Sequence, residues 1–260
     1  MFANYHTHTP RCGHASGTER EYIERALEKG LSALGFSDHA PYFFEDGHYS
    51  NFRMYPDQAA EYVQTVQGLA EEYKGKIDVL AGFEIEYYPK LFHRTASFLA
   101  ETGCDYFILG QHFLGSEEVH CFQPTTDPQL LDSFVSHEIE AMETGMFAYI
   151  AHSDVFFFVG DERVYEKQSL RLCEAAKRLN VPLEINILGL REGRQYPHES
   201  FFKIAAAVGN EVVIGCDAHH IWQLADEKDL QMAAAFAEKC GVKPVELTPE
   251  RMLLRKGNIR

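Results

Sequence analysis

The 260-residue chain has no CxxC pair, no glycine-rich phosphate loop and no long apolar run, and each absence narrows its class. Its six cysteines (Cys12, Cys104, Cys121, Cys173, Cys216 and Cys240) are scattered. They read as reduced thiols of a cytoplasmic protein, not as a disulfide framework or a Cys-type structural zinc site. The longest aromatic and aliphatic run, VFFFVG at 155–160, falls far short of the roughly 20 residues that span a bilayer. No basic start precedes an apolar stretch, so secretion is not expected. Neither GxGxxG nor GxxxxGK[ST] follows any strand-like segment, which leaves a nucleotide-binding open sheet without a fingerprint. Positive charge is also short: 24 Lys and Arg against 39 Asp and Glu give a formal net charge of −15. That excess repels a phosphodiester backbone and disfavours nucleic-acid partners. No repeat, low-complexity tract or Gly/Ser linker divides the chain, and residues 1–260 read as one domain.

What is present is alternation. FANYH (2–6) reads as a short strand. Thr18, followed three residues later by Glu21, predicts a capping box for the helix EREYIERALEKG, which Gly30 closes. SALGFSDH (32–39) is a second strand. The next helix starts at Pro56 and shows helical spacing at Ala59, Tyr62, Val63, Val66 and Leu69. Strand IDVLAGFEIEYYP, helix LFHRTASFLAE and strand YFILGQHF follow. Helix 129–143 precedes FAYIAHSD, helix 165–179 precedes VPLEINILG, helix 200–208 precedes EVVIGCDAHH, and a last helix covers about 223–239. Seven strand-then-helix units predict an α/β fold whose parallel sheet is closed, or nearly closed, into a barrel. A doubly wound open sheet is the alternative.

The polar residues gather at one end of these strands. His6 and His8 end strand one, with His14 just beyond, and His39 ends strand two. Glu84 and Glu86 lie at the end of strand three, His112 at strand four, His152 at strand five, and Asp217 with His219 at strand seven. Carboxyl ends of barrel strands converge on one face, where active sites are built. His6 and His8 share one side of their strand, as do Asp217 and His219, because strand side chains alternate. A single histidine at a strand end is ordinarily just a hydrogen-bonded residue. Seven of thirteen histidines at the same ends point instead to a metal centre. His48, His93, His120, His137, His198 and His220 read as surface or supporting residues, with His137 on a solvated helix face.

HTH at 6–8, His14, SDH at 37–39, the glutamate of GFEIEYYP, GQH, AHSD and CDAH resemble, in order and over nearly the whole chain, the PHP (polymerase and histidinol phosphatase) superfamily. HTHTPRCGHA, FRMYPDQAAEYV, EINILGLREGRQYP and GCDAHH are similar to its histidinol-phosphate phosphatases. The resemblance implies a distorted (β/α)7 barrel of the PHP type with a trinuclear metal centre. It implies one metal on His6, His8, Glu84 and Asp217, a second on Glu84, His112 and His152, and a third on His14, His39 and His219. Glu84, Asp217 and His219 are then the catalytic core. The implied activity is hydrolysis of L-histidinol phosphate, releasing inorganic phosphate.

Imidazole with a few carboxylates suits three divalent ions of zinc, iron or manganese. Paired ions make hydroxide from water at neutral pH. A monoester dianion also calls for a cation outside the cluster, and Arg191, Arg194 and Arg53 are the candidates, Arg191 foremost. Cys12 and Cys216 adjoin ligands but read as small buried residues. Where the phosphatases of this type carry a basic residue, Phe156, Phe157 and Phe158 follow Asp154. That predicts an apolar substrate pocket, or else a lid or subunit contact. A phosphoesterase acting on another small ester or on phosphotyrosine, and a non-enzymatic metal-binding module, are the competing readings.

Overall fold

Thr18 and Glu21 do form the capping box: the Thr18 side chain accepts from the Glu21 amide, while the Glu21 carboxylate accepts from the Thr18 amide at 2.8 Å. Asp127, Asp161 and Asp226 cap three further helices in the same manner, each accepting from an amide two residues on. The computed structural model describes residues 3–254 except Asp46 and Ser116; Phe2, the first residue of the expected first strand, lies outside them. The elements are β1 (Ala3–Asn4), α1 (Glu19–Glu28), β2 (Ala33–His39), α2 (Ala59–Glu72), β3 (Asp78–Ile85), α3 (Phe92–Glu101) and β4 (Tyr106–Leu109). A hairpin of β5 (Phe113–Leu114) and β6 (Val119–His120) follows, then α4 (Pro128–Glu143) and α5 (Glu162–Leu179). The chain ends with β7 (Leu183–Asn186), α6 (Ile187–Glu192), α7 (Glu199–Val208), β8 (Val212–Gly215), α8 (Glu227–Cys240) and α9 (Pro249–Met252).

The sheet curls into a distorted seven-stranded barrel. β1 to β4 pair in parallel in chain order, and β7 pairs in parallel with β8. Between β4 and β7, the segment FAYIAHSD supplies the fifth rung through bridges from Ile150 to Leu109 and to Leu183. A bridge from Thr7 to Ala218 closes the ring: the His8 amide donates to Ala218 O at 2.9 Å, and the Ala218 amide to His6 O at 3.2 Å. The rungs on either side of the Ile150 segment and of β1 are short, which is the distortion.

The barrel interior has two ends. At the amino end Tyr5, Tyr106 and Tyr149 fill it with Leu80, Ile108 and Val213, and Leu247 and Met252 of the closing segment complete that cluster. The Tyr5 hydroxyl donates to Leu247 O at 3.0 Å, tying the closing segment across the barrel floor. At the carboxyl end the interior is polar. A second, larger apolar layer lies between strands and helices, and β2 is buried along its whole length.

Three expectations change. VPLEINILG stops being a strand at Asn186, whose side chain accepts from the Gly189 amide at 2.9 Å and so starts α6. The last helix begins at Glu227, after a 3-10 turn at Ile221–Gln223. VFFFVG is strapped to the segment 121–125: the Phe157 amide donates to Cys121 O at 2.8 Å and the Val159 amide to Thr125 O at 2.8 Å. Phe156 is buried against Phe134, and Phe156 to Phe158 line a separate cavity of about 230 Å3 with Tyr165 and His198. None of the three lines the metal cleft described below, so the apolar substrate pocket expected there does not hold. No helix among the described residues is long and apolar enough to cross a membrane.

Candidate metal centre

All nine residues expected to bind metal arrive at the carboxyl end of the barrel. His39 is the last residue of β2, Glu84 lies one residue before the end of β3, His14 follows the 3-10 turn Pro10–Cys12 beyond β1, and the others lie within four residues of a strand end or of the Ile150 bridge. Their rings form a continuous wall: His6–His152 at 5.8 Å between centroids, His152–His112 at 4.8 Å, His112–His39 at 5.2 Å, His39–His8 at 4.4 Å and His8–His219 at 4.1 Å. His14 stands 4.7 Å from His219 and 5.4 Å from His39. His152 and Asp217 have φ of 31° and 48°. Left-handed backbone at non-glycine residues is costly and concentrates at functional sites.

Glu84 sits at the middle. Its Oε1 lies 2.8 Å from His152 Nε2 and 3.6 Å from both His6 Nε2 and His112 Nε2. Its Oε2 lies 2.9 Å from His39 Nδ1 and 3.6 Å from His8 Nε2. Asp217 Oδ1 is 3.4 Å from His6 Nε2 and 3.1 Å from His8 Nε2. Two donors bound tetrahedrally to one ion at about 2.1 Å stand about 3.4 Å apart, so these separations suit shared metal ions. His6 with His8 and Glu84, His6 with His152 and Asp217, and His8 with His39 and His219 each offer donor atoms within 4.8 Å of one another. The buried Nε2 atoms of His6 and His8 have no hydrogen-bond partner, as expected of nitrogens kept for a metal.

The opposite ring nitrogens explain the orientation. His6 Nδ1 meets Glu184 Oε1 at 2.9 Å, His112 Nδ1 meets Glu86 Oε1 at 3.1 Å, His14 Nδ1 meets Cys12 O at 2.9 Å, and His219 Nδ1 meets Asp217 O at 3.1 Å. Carboxylates and carbonyls only accept, so each Nδ1 carries a proton and Nε2 is the nitrogen left to face a metal. Outer carboxylates of this kind fix the tautomer of metal-binding histidines. Asp38 stands behind His8 at 3.6 Å and is itself held by the Thr9 hydroxyl.

Glu184 carries most of this support, and sequence reasoning passed over it by treating its strand as ligand-free. Fully buried, it accepts from the His6 ring, from the His152 amide at 3.0 Å and from Asn186 Nδ2 at 2.9 Å. Asn186 Nδ2 also donates to Asp217 Oδ2 at 3.1 Å, so one carboxylate braces candidate ligands from three strands. The available signal was Glu184 and Asn186 at i and i+2 in an apolar strand, both facing the barrel interior. Room for the carboxylates comes from glycine: a Cβ at Gly215 would collide with Glu184, and one at Gly110 with Glu84.

The electrostatics call for cations. Burial works against charge throughout the site, yet neighbouring carboxylates overcome it at His6, which is raised well above the ordinary histidine value, and at His8, raised to about 9. His112 is raised too, against burial, chiefly by Glu84. The surrounding imidazoles hold Glu84 and Asp217 well below the carboxylate range despite their burial. Burial pushes His39 and His219 well down, leaving them neutral. Five carboxylates, Glu84, Asp217, Asp38, Glu86 and Glu184, crowd this one site, and cations are what would balance them. Cys12, buried with its thiol pushed up by burial and then Asp38, also lies among the donors.

Above the histidines opens a cleft of about 400 Å3, walled by Phe52, Phe113, His120, Phe122 and Tyr196, with Glu192 and Arg194 on one side. The three expected arginines part company here. Arg194 lines the cleft; its NH1 donates to the Tyr196 hydroxyl at 2.8 Å. Arg191, expected to lead, is not among the lining residues: it sits in the last turn of α6 and pairs with Asp229 of α8 at 2.5 Å. Arg53 is buried between the Phe52 and Tyr42 rings and pairs with Glu117 at 2.5 Å and Glu86 at 3.4 Å, bracing the carboxylate that holds His112. His120 and His220, read as outside the site, both reach the cleft wall, and His137 is half-buried against Tyr87.

Comparison with known proteins agrees with this architecture. A probable histidinol-phosphatase of Deinococcus radiodurans is 31% identical over 225 residues, covering 82% of this chain and 85% of that protein. The crystal structure of a histidinol phosphate phosphatase from Lactococcus lactis, complexed with zinc, L-histidinol and phosphate, superposes with a TM-score of 0.74 at 16% identity. It covers 96% of this chain and 98% of that one. A crystal structure from Listeria monocytogenes gives a TM-score of 0.71 at 18% identity, covering 88% of this chain and 99% of that one. The PHP domain family matches residues 4–187, and with strand ends, closing bridge and histidine wall all in place, the chain belongs to that family.

Proposed function

We propose that the chain is a metal-dependent phosphomonoesterase that hydrolyses L-histidinol phosphate to L-histidinol and phosphate, acting as one domain in the cytoplasm. The observation that carries this reading is the wall of seven imidazoles around Glu84 and Asp217 at the floor of an open cleft. The names of relatives that match most of the chain support the substrate. His6, His8, Glu84 and Asp217 would hold one divalent ion, Glu84, His112 and His152 a second, and His14, His39 and His219 a third, with zinc, iron or manganese suited to such donors. Bound there, the ions would supply charge neutralisation for phosphate oxygens and activation of water. Three divalent ions against five carboxylates would leave the floor slightly positive, which suits a phosphate dianion.

The chain's own residues do the rest. Glu184, Glu86 and Asp38 hold His6, His112 and His8 in position. Arg194, on the wall beside Tyr196, is the arginine placed to take phosphate. Arg191 and Arg53 act structurally. Phe52, Phe113 and Phe122, with Phe52–Phe113 stacked at 5.5 Å, form an aromatic wall for the flat leaving group. Phosphate release from L-histidinol phosphate and a panel of other monoesters, with metal-replete and chelated enzyme, tests the reading. Metal-dependent turnover with L-histidinol phosphate preferred is expected; preference for another ester would overturn the substrate, and turnover surviving chelation would overturn the metals.

A further inference from the structure

Among the described residues lining the cleft, Glu192 is the one carboxylate and Arg194 the one permanent cation outside the histidine cluster. They are paired with each other. Arg194 Nε donates to Glu192 Oε2 at 2.7 Å, and NH2 lies 2.6 Å from the same oxygen. The side chains are 32% and 43% exposed, so the pair is a weak one and little opposes its exchange. Arg194 has a second foothold: Tyr196, whose hydroxyl accepts from NH1 and whose ring lies 5.9 Å from the guanidinium. That ring is 5.7 Å from the His152 ring, which places the pair at the edge of the metal floor.

We propose that Glu192 and Arg194 form an exchangeable pair that selects phosphate esters whose alcohol carries an ammonium group. This rests on the phosphatase reading above. An entering monoester draws the Arg194 guanidinium onto its phosphate, with Tyr196 as the pivot. Glu192 is then left without its cation. An ester bearing an ammonium a few bonds from phosphate supplies the replacement, and both protein charges stay paired. An ester lacking it leaves an unpaired carboxylate facing a phosphate dianion, a repulsion that selects against it. The aromatic wall reads the shape of the leaving group, and this pair reads its charge.

The test compares L-histidinol phosphate with its deamino analogue, which keeps imidazole and phosphate but lacks the ammonium, using metal-replete wild type, Glu192→Gln and Glu192→Asp. Wild type is expected to prefer the ammonium ester in kcat/KM. In Glu192→Gln that preference falls about tenfold or more, chiefly through KM, as for loss of a charge-assisted contact. Glu192→Asp keeps part of it. An unchanged preference in Glu192→Gln, or equal losses on both esters, would overturn the proposal. Should wild type hydrolyse 4-nitrophenyl phosphate but neither imidazole ester, the underlying substrate reading fails and takes this one with it.

Discussion

Replacing Glu184 with Gln removes one unit of negative charge and almost no volume, yet it should disable the metal floor. Three donors converge on this carboxylate: the His6 Nδ1–H at one oxygen, and the His152 amide and Asn186 Nδ2 at the other. An amide offers one acceptor oxygen only. With its NH2 toward His6, the ring must accept at Nδ1 and carry its proton on Nε2, which is then lost as a metal donor. With its NH2 on the other side, it faces two N–H groups. Asn186 cannot turn to relieve this, because its Oδ1 accepts from the Gly189 amide and its Nδ2 also serves Asp217. One lost charge-assisted bond plus a buried donor left unsatisfied comes to about 3–5 kcal/mol. Metal affinity at the His6 site should fall roughly 10- to 100-fold, as for other outer-shell changes. Competition with a chromogenic chelator measures the affinity, and a thermal melt of the metal-free protein measures the stability. Affinity within twofold of wild type, with an unchanged melt, would refute the bracing role.

Further predictions follow from the same geometry. Arg194→Ala should lower kcat/KM for a phosphomonoester by roughly ten- to a hundredfold while metal content holds, whereas Arg191→Ala, which strands the 7%-exposed Asp229, should mainly lower Tm; steady-state kinetics with calorimetry on both variants separates them. Gly110→Ala should push Glu84 out of place and cut both bound metal and turnover at least tenfold, since its Cβ would overlap that carboxylate; full metal content by elemental analysis would count against Glu84 as the shared ligand. Metal binding should release protons at pH 7. Neighbouring carboxylates raise His6, His8 and His112, His8 to about 9, and protons bound there must leave as metal binds. Apparent affinity should therefore rise with pH from about 6 to 9, roughly tenfold per unit for each proton displaced; a flat profile in a chelator titration would contradict it.

Much of this was legible because metal sites impose side-chain chemistry on strand ends. HTH, SDH and CDAH mark their candidate ligands by residue type, with period-two spacing in HTH and DAH, and Thr18 with Glu21 announces its helix through local hydrogen bonding. What sequence left hidden depends on direction in space. VPLEINILG reads as strand with Arg191 just beyond its end, but Asn186 caps a helix there. The added turns carry Arg191 round to Asp229, and the left-handed Gly193 at φ 62° returns the chain with Arg194 on the cleft. Glu184 is easily passed over for another reason: a buried carboxylate looks out of place in an apolar strand until its three donors are seen. The phenylalanines at 156–158 follow a candidate ligand in sequence, yet backbone bonds to Cys121 and Thr125 turn them to another cavity.

Hydrolysis at a multinuclear metal site requires the ions to be present in the active protein. The most direct measurement is elemental analysis of protein produced with ample zinc, iron and manganese, read beside L-histidinol phosphate turnover before and after chelation. Two to three transition-metal ions per chain are expected, with turnover lost on their removal. Less than one ion per chain in active protein would contradict it.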